Sequence, residues 1–221
     1  MSTVPAGFIQ PGTQWGAYNN LAFMIQQAIS KVQTALPVQV NACTNDGGVS
    51  PVGTVDVTIL VNQINSQGLS TPHLQMYGLP YVRLQGGANA VIIDPQPGDI
   101  GLAVFASRDI SNVVSTLAQA NPGSYRTHDF SDGLYIGGFL NAAPTQYVQF
   151  TSSGISLISP GTITLEAPNI VINGALQQTN GDVTMSQKLT VTEDVSGGGI
   201  SLKNHVHGGV TTGGGDTGVP I

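Results

Sequence analysis

Apolar and polar positions follow three different rhythms along this chain. From Asn19 to Leu36 the apolar side chains fall at Leu21, Met24, Ile25, Ala28, Ile29, Val32 and Leu36. That spacing predicts an amphipathic helix, with Asn19 or Asn20 as its N-cap and Pro37 as its stop. Its only charge is Lys31 and its polar face is Gln, Asn and Ser, which suits packing on a neighbour better than standing alone in water. From Val38 the rhythm changes. Val38–Thr44 and Val52–Ile64 are rich in Val and Ile with partial alternation, and Asn45-Asp46-Gly47-Gly48 supplies turn chemistry between them. Tyr81–Leu84, Ala90–Ile93, Gly101–Phe105 and Leu134–Leu140 read as further short strands. Ser107 or Asp109 can cap a helix over Ile110–Ala120, closed by Asn121-Pro122-Gly123.

The third rhythm starts at Val148. Ile155/Leu157, Ile163/Leu165/Ala167, Ile170/Ile172, Val183/Met185 and Leu189/Val191 alternate with Thr, Ser, Asn and Gln, punctuated by Gly154, Gly161, Gly174 and Gly181. These are short period-two strands joined by tight turns. The predicted organisation is therefore mainly β. Residues 1–36 form an N-terminal helical segment. Residues 37–147 form a small barrel, since five or six short strands with a helix before the last fit an OB-fold. Residues 148–199 form a β-helix or β-prism, and residues 200–221 form its end. Each strand of the third segment offers one narrow apolar face, too little for a private core. Three identical chains around one axis would bury those faces together and pair the strand edges, so a homotrimer is expected. An open single-chain solenoid would give a similar pattern.

Composition narrows the function. Charged residues are 8 % of 221, with six basic and twelve acidic, and a net charge of −6. Six scattered cations cannot build a phosphate-binding surface, so a nucleic-acid partner is excluded. The 40 % hydrophobic content argues against disorder. The lone Cys43 rules out an intrachain disulfide and reads as a small buried apolar residue. No apolar run is long enough for a transmembrane helix, and Met1–Gly12 does not resemble a signal peptide, so synthesis in the cytoplasm without export is expected.

Candidate chemistry gathers near the C-terminus, in Lys203-Asn204-His205-Val206-His207-Gly208-Gly209. In a strand, positions i and i+2 share a face, which would aim His205 and His207 the same way. Neutral imidazole suits Fe, Ni, Cu or Zn. Two ligands make a weak site, whereas three chains with two each supply enough for an octahedron. Glycine runs at 197–199, 208–209 and 213–215 let the backbone turn sharply and approach an axis.

The stretch from the third segment through His205-Val206-His207-Gly208-Gly209, Gly214-Gly215-Asp216-Thr217-Gly218 and Pro220 resembles the tip of the central membrane-piercing spike of contractile-tailed bacteriophages, of the baseplate assembly protein V type. Pro97-Gly98-Asp99-Ile100-Gly101, Phe105-Ala106-Ser107-Arg108-Asp109-Ile110 and Asp132-Gly133 resemble the N-terminal OB-fold of such spikes. The resemblance implies a virion protein of the tail baseplate. It implies a homotrimer with an OB-fold collar meeting the tail hub and tube, an intertwined β-helix, and a tapered tip facing the host outer membrane. It also implies one iron ion per trimer, held by six histidine nitrogens from His205 and His207 of three chains.

No catalytic residues are expected, and no small-molecule substrate. Six imidazoles would leave a metal no open position, His73 and His128 are isolated, and Arg126 beside Asp129 and Asp132 reads as a structural ion pair. The competing reading is a trimeric receptor-binding fibre or adhesin tip that recognises host glycan. It is disfavoured because the sole tryptophan, Trp15, lies far from the tip and no aromatic follows Phe150.

Overall fold

The structure is a computed structural model that describes residues 16–65, 67–209 and 213. The expectations placed on residues 1–15, on 210–212 and on the closing stretch from Gly214 to Ile221 lie outside them. The chain divides into two units, one ending at Pro160 and one beginning at Gly161. The described residues are mainly β, with a small helix near the N-terminus.

In the first unit, helix α1 spans Ala17–Ser30 and strand β1 spans Ala35–Cys43. The helix is shorter than its apolar spacing predicts. The expected stop, Pro37, lies inside β1, and the residue before a proline avoids helical angles. Leu36 is thereby drawn to an extended conformation opposite Ala103 and packs on the sheet core. The expected Asn cap is also absent. Gly16, at φ 116°, holds the N-cap position with no side-chain hydrogen bond.

β1 pairs antiparallel with β2 (Thr54–Ile59) and with β8 (Ile100–Phe105). Between β2 and β8 lie β3 (Gln63–Ile64) paired with β4 (Ser70–Thr71), then β5 (Gln75–Pro80), then β6 (Leu84–Gly86) paired with β7 (Asn89–Val91). Helix α2 (Ser111–Thr116) and a 3-10 turn (Phe130–Asp132) precede β9 (Gly133–Ile136). The main sheet runs β5-β2-β1-β8-β9. It curls until Tyr81, just past β5, meets Tyr135 of β9 in a parallel bridge, where the Val82 N–H donates to the Tyr135 carbonyl at 2.9 Å.

Alternation explains the core. Val38 and Val40 on β1, Val55, Val57 and Ile59 on β2, Ala103 and Phe105 on β8, and Tyr135 on β9 are all buried, and they share one face because the side-chain period is two. Register carries this across the sheet: Val38 lies opposite Ile59, and Val40 opposite Val57. The sequence pattern placed no strand at β5, which contains Gly78 and Pro80. Gly78 sits in a bulge at φ 68°, and its N–H donates to Asp56 Oδ1 at 2.9 Å. Helix α2 is half its expected length, since Leu117 adopts a left-handed φ of 53°. Asp109 still serves its first turn, accepting from the Ser111 N–H at 2.9 Å.

Strands β10 (Tyr147–Thr151) and β11 (Gly154–Ile158) form a hairpin near the end of the first unit. Beyond it, the expected strands at 163–167, 170–172, 183–185 and 189–191 do not form in this single chain. Their apolar residues stand exposed, among them Leu165 (68 %) and Ile172 (59 %). A strand needs a hydrogen-bonding neighbour, and one copy offers these segments none. Among the described residues, no helix is long and apolar enough to cross a membrane.

Candidate metal centre

The residues leading to the histidine pair are held by backbone geometry. Strands β12 (Ser196–Gly197) and β13 (Ile200–Ser201) close through Gly198 and Gly199, at φ 58° and 84°. Two successive positive φ values define the tight hairpin turn that matches strand twist, and glycine adopts it without a Cβ clash. The chain is then pinned back on itself. The Leu202 N–H donates to the Val195 carbonyl at 2.8 Å, and the Lys203 N–H to Asp194 Oδ1 at 3.0 Å. The Ser201 hydroxyl, followed by the Lys203 N–H, holds the Asp194 carboxyl below its usual range. The Asn204 N–H donates to Ser201 Oγ at 2.9 Å.

His205 and His207 follow at once. They do not lie in a strand, so the expected route to a shared face is not the one used. A turn brings the rings together all the same, with centroids 5.1 Å apart and planes at 80°. His205 Nδ1 lies 3.0 Å from the Leu202 carbonyl. A carbonyl only accepts, so Nδ1 donates to it, and in the neutral ring Nε2 is then the nitrogen left with a lone pair. That tautomer is the one in which a histidine ligates a metal through Nε2. Both rings are solvent-exposed, as is Val206 between them. Among the described residues no group of three or more His, Cys, Asp or Glu could hold a metal ion.

The other two histidines are engaged within the first unit. His73 stacks edge-on against Phe130 at 5.4 Å, and His128 donates from Nδ1 to the Gln33 carbonyl at 3.2 Å. Arg126 does form an ion pair, though with partners the sequence grouped only in part. It reaches Asp132 (2.7 Å) and also Asp109 (2.9 Å), while Asp129 caps the 3-10 turn through the Ser131 N–H. A second buried cluster escaped sequence reasoning. Arg83 pairs with Asp94 at 2.6 Å, Tyr81 donates to the same carboxylate at 2.5 Å, and the Gly47 N–H donates at 2.9 Å. Tyr81, Arg83 and Asp94 lie within fourteen residues of one another, but no motif joins them to each other or to the distant Gly47. Both clusters tether loops to the sheet through paired charges, although the buried Arg83 Nε finds no partner among the described residues.

Residues 199–220 match the family model described as the GpV Apex motif. The matched stretch contains both His205 and His207. The match supports a phage baseplate spike of the gpV type, and with it a component of the phage virion. No curated protein matches the chain.

Proposed function

We propose that three copies of this chain form the central spike of a contractile phage tail baseplate, which pierces the host outer membrane when the sheath contracts. The observation that carries this reading is the apex match over residues 199–220, with an exposed histidine pair inside it. The uncovered apolar residues from Ile155 to Leu202 support the trimer, since such an extent of exposed Ile, Leu and Val marks an interface. The sheet order β5-β2-β1-β8-β9, with its outer strands meeting in parallel at Tyr81 and Tyr135, favours an OB-like collar at the tube end.

The role is mechanical. Strands shared among three chains cannot peel away singly, because each removal breaks pairing with its neighbours. The shaft carries few strongly hydrated groups: between 148 and 202 the charged residues are Glu166, Asp182, Lys188, Glu193 and Asp194. Little charge then has to be desolvated as the shaft enters lipid. At the tip, His205 and His207 of three chains would hold one iron ion through six imidazoles, two from each. Bound there, the metal supplies a cross-link among chain ends that would otherwise fray. The hub and tube of the tail would receive the other end.

Light scattering together with elemental analysis of the purified chain tests this. Three chains per particle with one iron is the expected result, with the iron lost in His205→Ala/His207→Ala. A metal-free single chain would overturn both the shared core and the tip site.

A further inference from the structure

Helix α1 has an apolar stripe that its own chain leaves uncovered. No residue of the helix is buried, and Ile25 and Ile29 are 50 % and 64 % exposed. The helix also lacks the usual terminal supports. It has no side-chain N-cap, no acidic residue in its first turn and no basic residue in its last. At 14 residues it sits where an isolated helix is marginal in water. Its stability has to come from a neighbour.

The stripe describes that neighbour. Tyr18, Ala22, Ile25 and Ile29 are spaced four, three and four apart, and Val32 continues three further on. This is the seven-residue repeat of a helix that packs along its length against parallel helices. β-Branched isoleucine holds both inward-facing positions at the centre, a choice that shifts such assemblies from two strands to three or four, of which three matches the trimeric reading. Nothing on the helix selects a different protein by charge, because Lys31, beyond its end, is the first charged residue of the segment. Asn19, Asn20, Gln26, Gln27 and Ser30 are the helix's polar residues besides Tyr18, and none of them is charged.

We infer that α1 packs against the α1 helices of two further copies of this chain, forming a parallel three-helix bundle ahead of the sheet. The inference rests on the trimeric reading above. Two heptads alone would not associate at micromolar concentration. Chains already joined elsewhere raise the local concentration of their helices to roughly millimolar, and their own copies are the partners guaranteed to be present. Residues 31–34 connect α1 to β1, and four residues reach at most about 13 Å, so each helix stays beside its sheet.

Disulfide trapping in the full chain tests this, with Cys43→Ala as the background. Ile25→Cys places a thiol on the stripe, and Asn20→Cys places one on the opposite face. Both positions are exposed, so neither change disturbs the fold. On mild oxidation of the trimer, Ile25→Cys should yield linked chain pairs several-fold in excess of Asn20→Cys. A trimer by light scattering with equal or negligible linkage at both positions overturns the helix bundle, leaves the trimer standing, and assigns the stripe to another protein. Single chains by light scattering overturn the trimeric reading and the bundle with it.

Discussion

Arg126 donates from Nε to Asp132 Oδ2 at 2.7 Å, and the carboxylate it reaches is fully buried. The same Asp132 accepts from the Ile110 N–H at 2.9 Å, so one side chain joins the start of α2 to the strand edge. Replacing Arg126 with Ala strands a buried charge. The variant is expected to unfold at lower urea concentration, by less than the loss of a fully buried pair because the guanidinium is itself 36 % exposed. Urea unfolding of the first unit measures it. A change within a few tenths of a kcal/mol would mean the pair is idle.

Asp109 makes the same cluster sensitive to acid. Hydrogen bonds from Ser111 and Ser124, with the Arg126 charge adding to them, hold its carboxyl down at about 2 against the usual 3.8. The folded state therefore binds its proton less readily than the unfolded chain. Its contribution is complete above about pH 4 and lost as the pH falls towards about 2. Asp94 and Asp129 shift in the same direction. Urea midpoints should fall between about pH 5 and about pH 3, and fall less steeply in Asp109→Asn. Identical slopes would exclude Asp109 as a contributor.

Gly101 on β8 lies under the Tyr135 ring, and a Cβ there would overlap ring carbons. Gly101→Ala is expected to cost about 3 kcal/mol, through overpacking against the buried Tyr135 ring. Tyr135→Phe should go the other way. Its hydroxyl is buried with no hydrogen-bond partner among the described residues, so deletion is neutral or stabilising. Melting temperatures of the two variants, moving in opposite senses, would bear out this packing.

Leu165 and Ile172 separate a lone chain from an assembled one. Both are exposed here, and Asp at either site would be nearly harmless in a monomer. In a shared core the same changes bury a charge. Leu165→Asp and Ile172→Asp should each release single chains with the first unit still folded. Size-exclusion mobility and light scattering read the outcome, and an unchanged trimer would place these residues outside the interface.

Metal removal should act on the tip alone. A ligand present at a hundredfold excess over its dissociation constant stabilises its site by about 2.7 kcal/mol. Treatment with a strong chelator is expected to lower the melting transition of the assembled shaft while leaving that of the sheet domain in place. Equal lowering of both, or of neither, would argue against a tip-bound ion.

The strands β1, β2 and β8 were legible in the sequence because half-buried sheet residues alternate, and alternation is a local property. The histidine pair was legible for a similar reason: His205 and His207 are two residues apart, and a turn brought their rings together where a strand had been expected. The chain also carried the residues of the apex motif in plain order. Tertiary structure alone decided where local pattern met a distant partner. Pro37 entered a strand because Leu36 found a core to pack on. Gly78 became a bulge because Asp56 was there to accept its N–H. Asp94 and Asp109 acquired their arginines across loops that no spacing rule connects. The alternation from Ile163 to Val191 belongs to a third case, since this chain by itself forms no strand there. A hydrogen-bonded strand is a relation between segments, and residues can specify a readiness for it without supplying the neighbour.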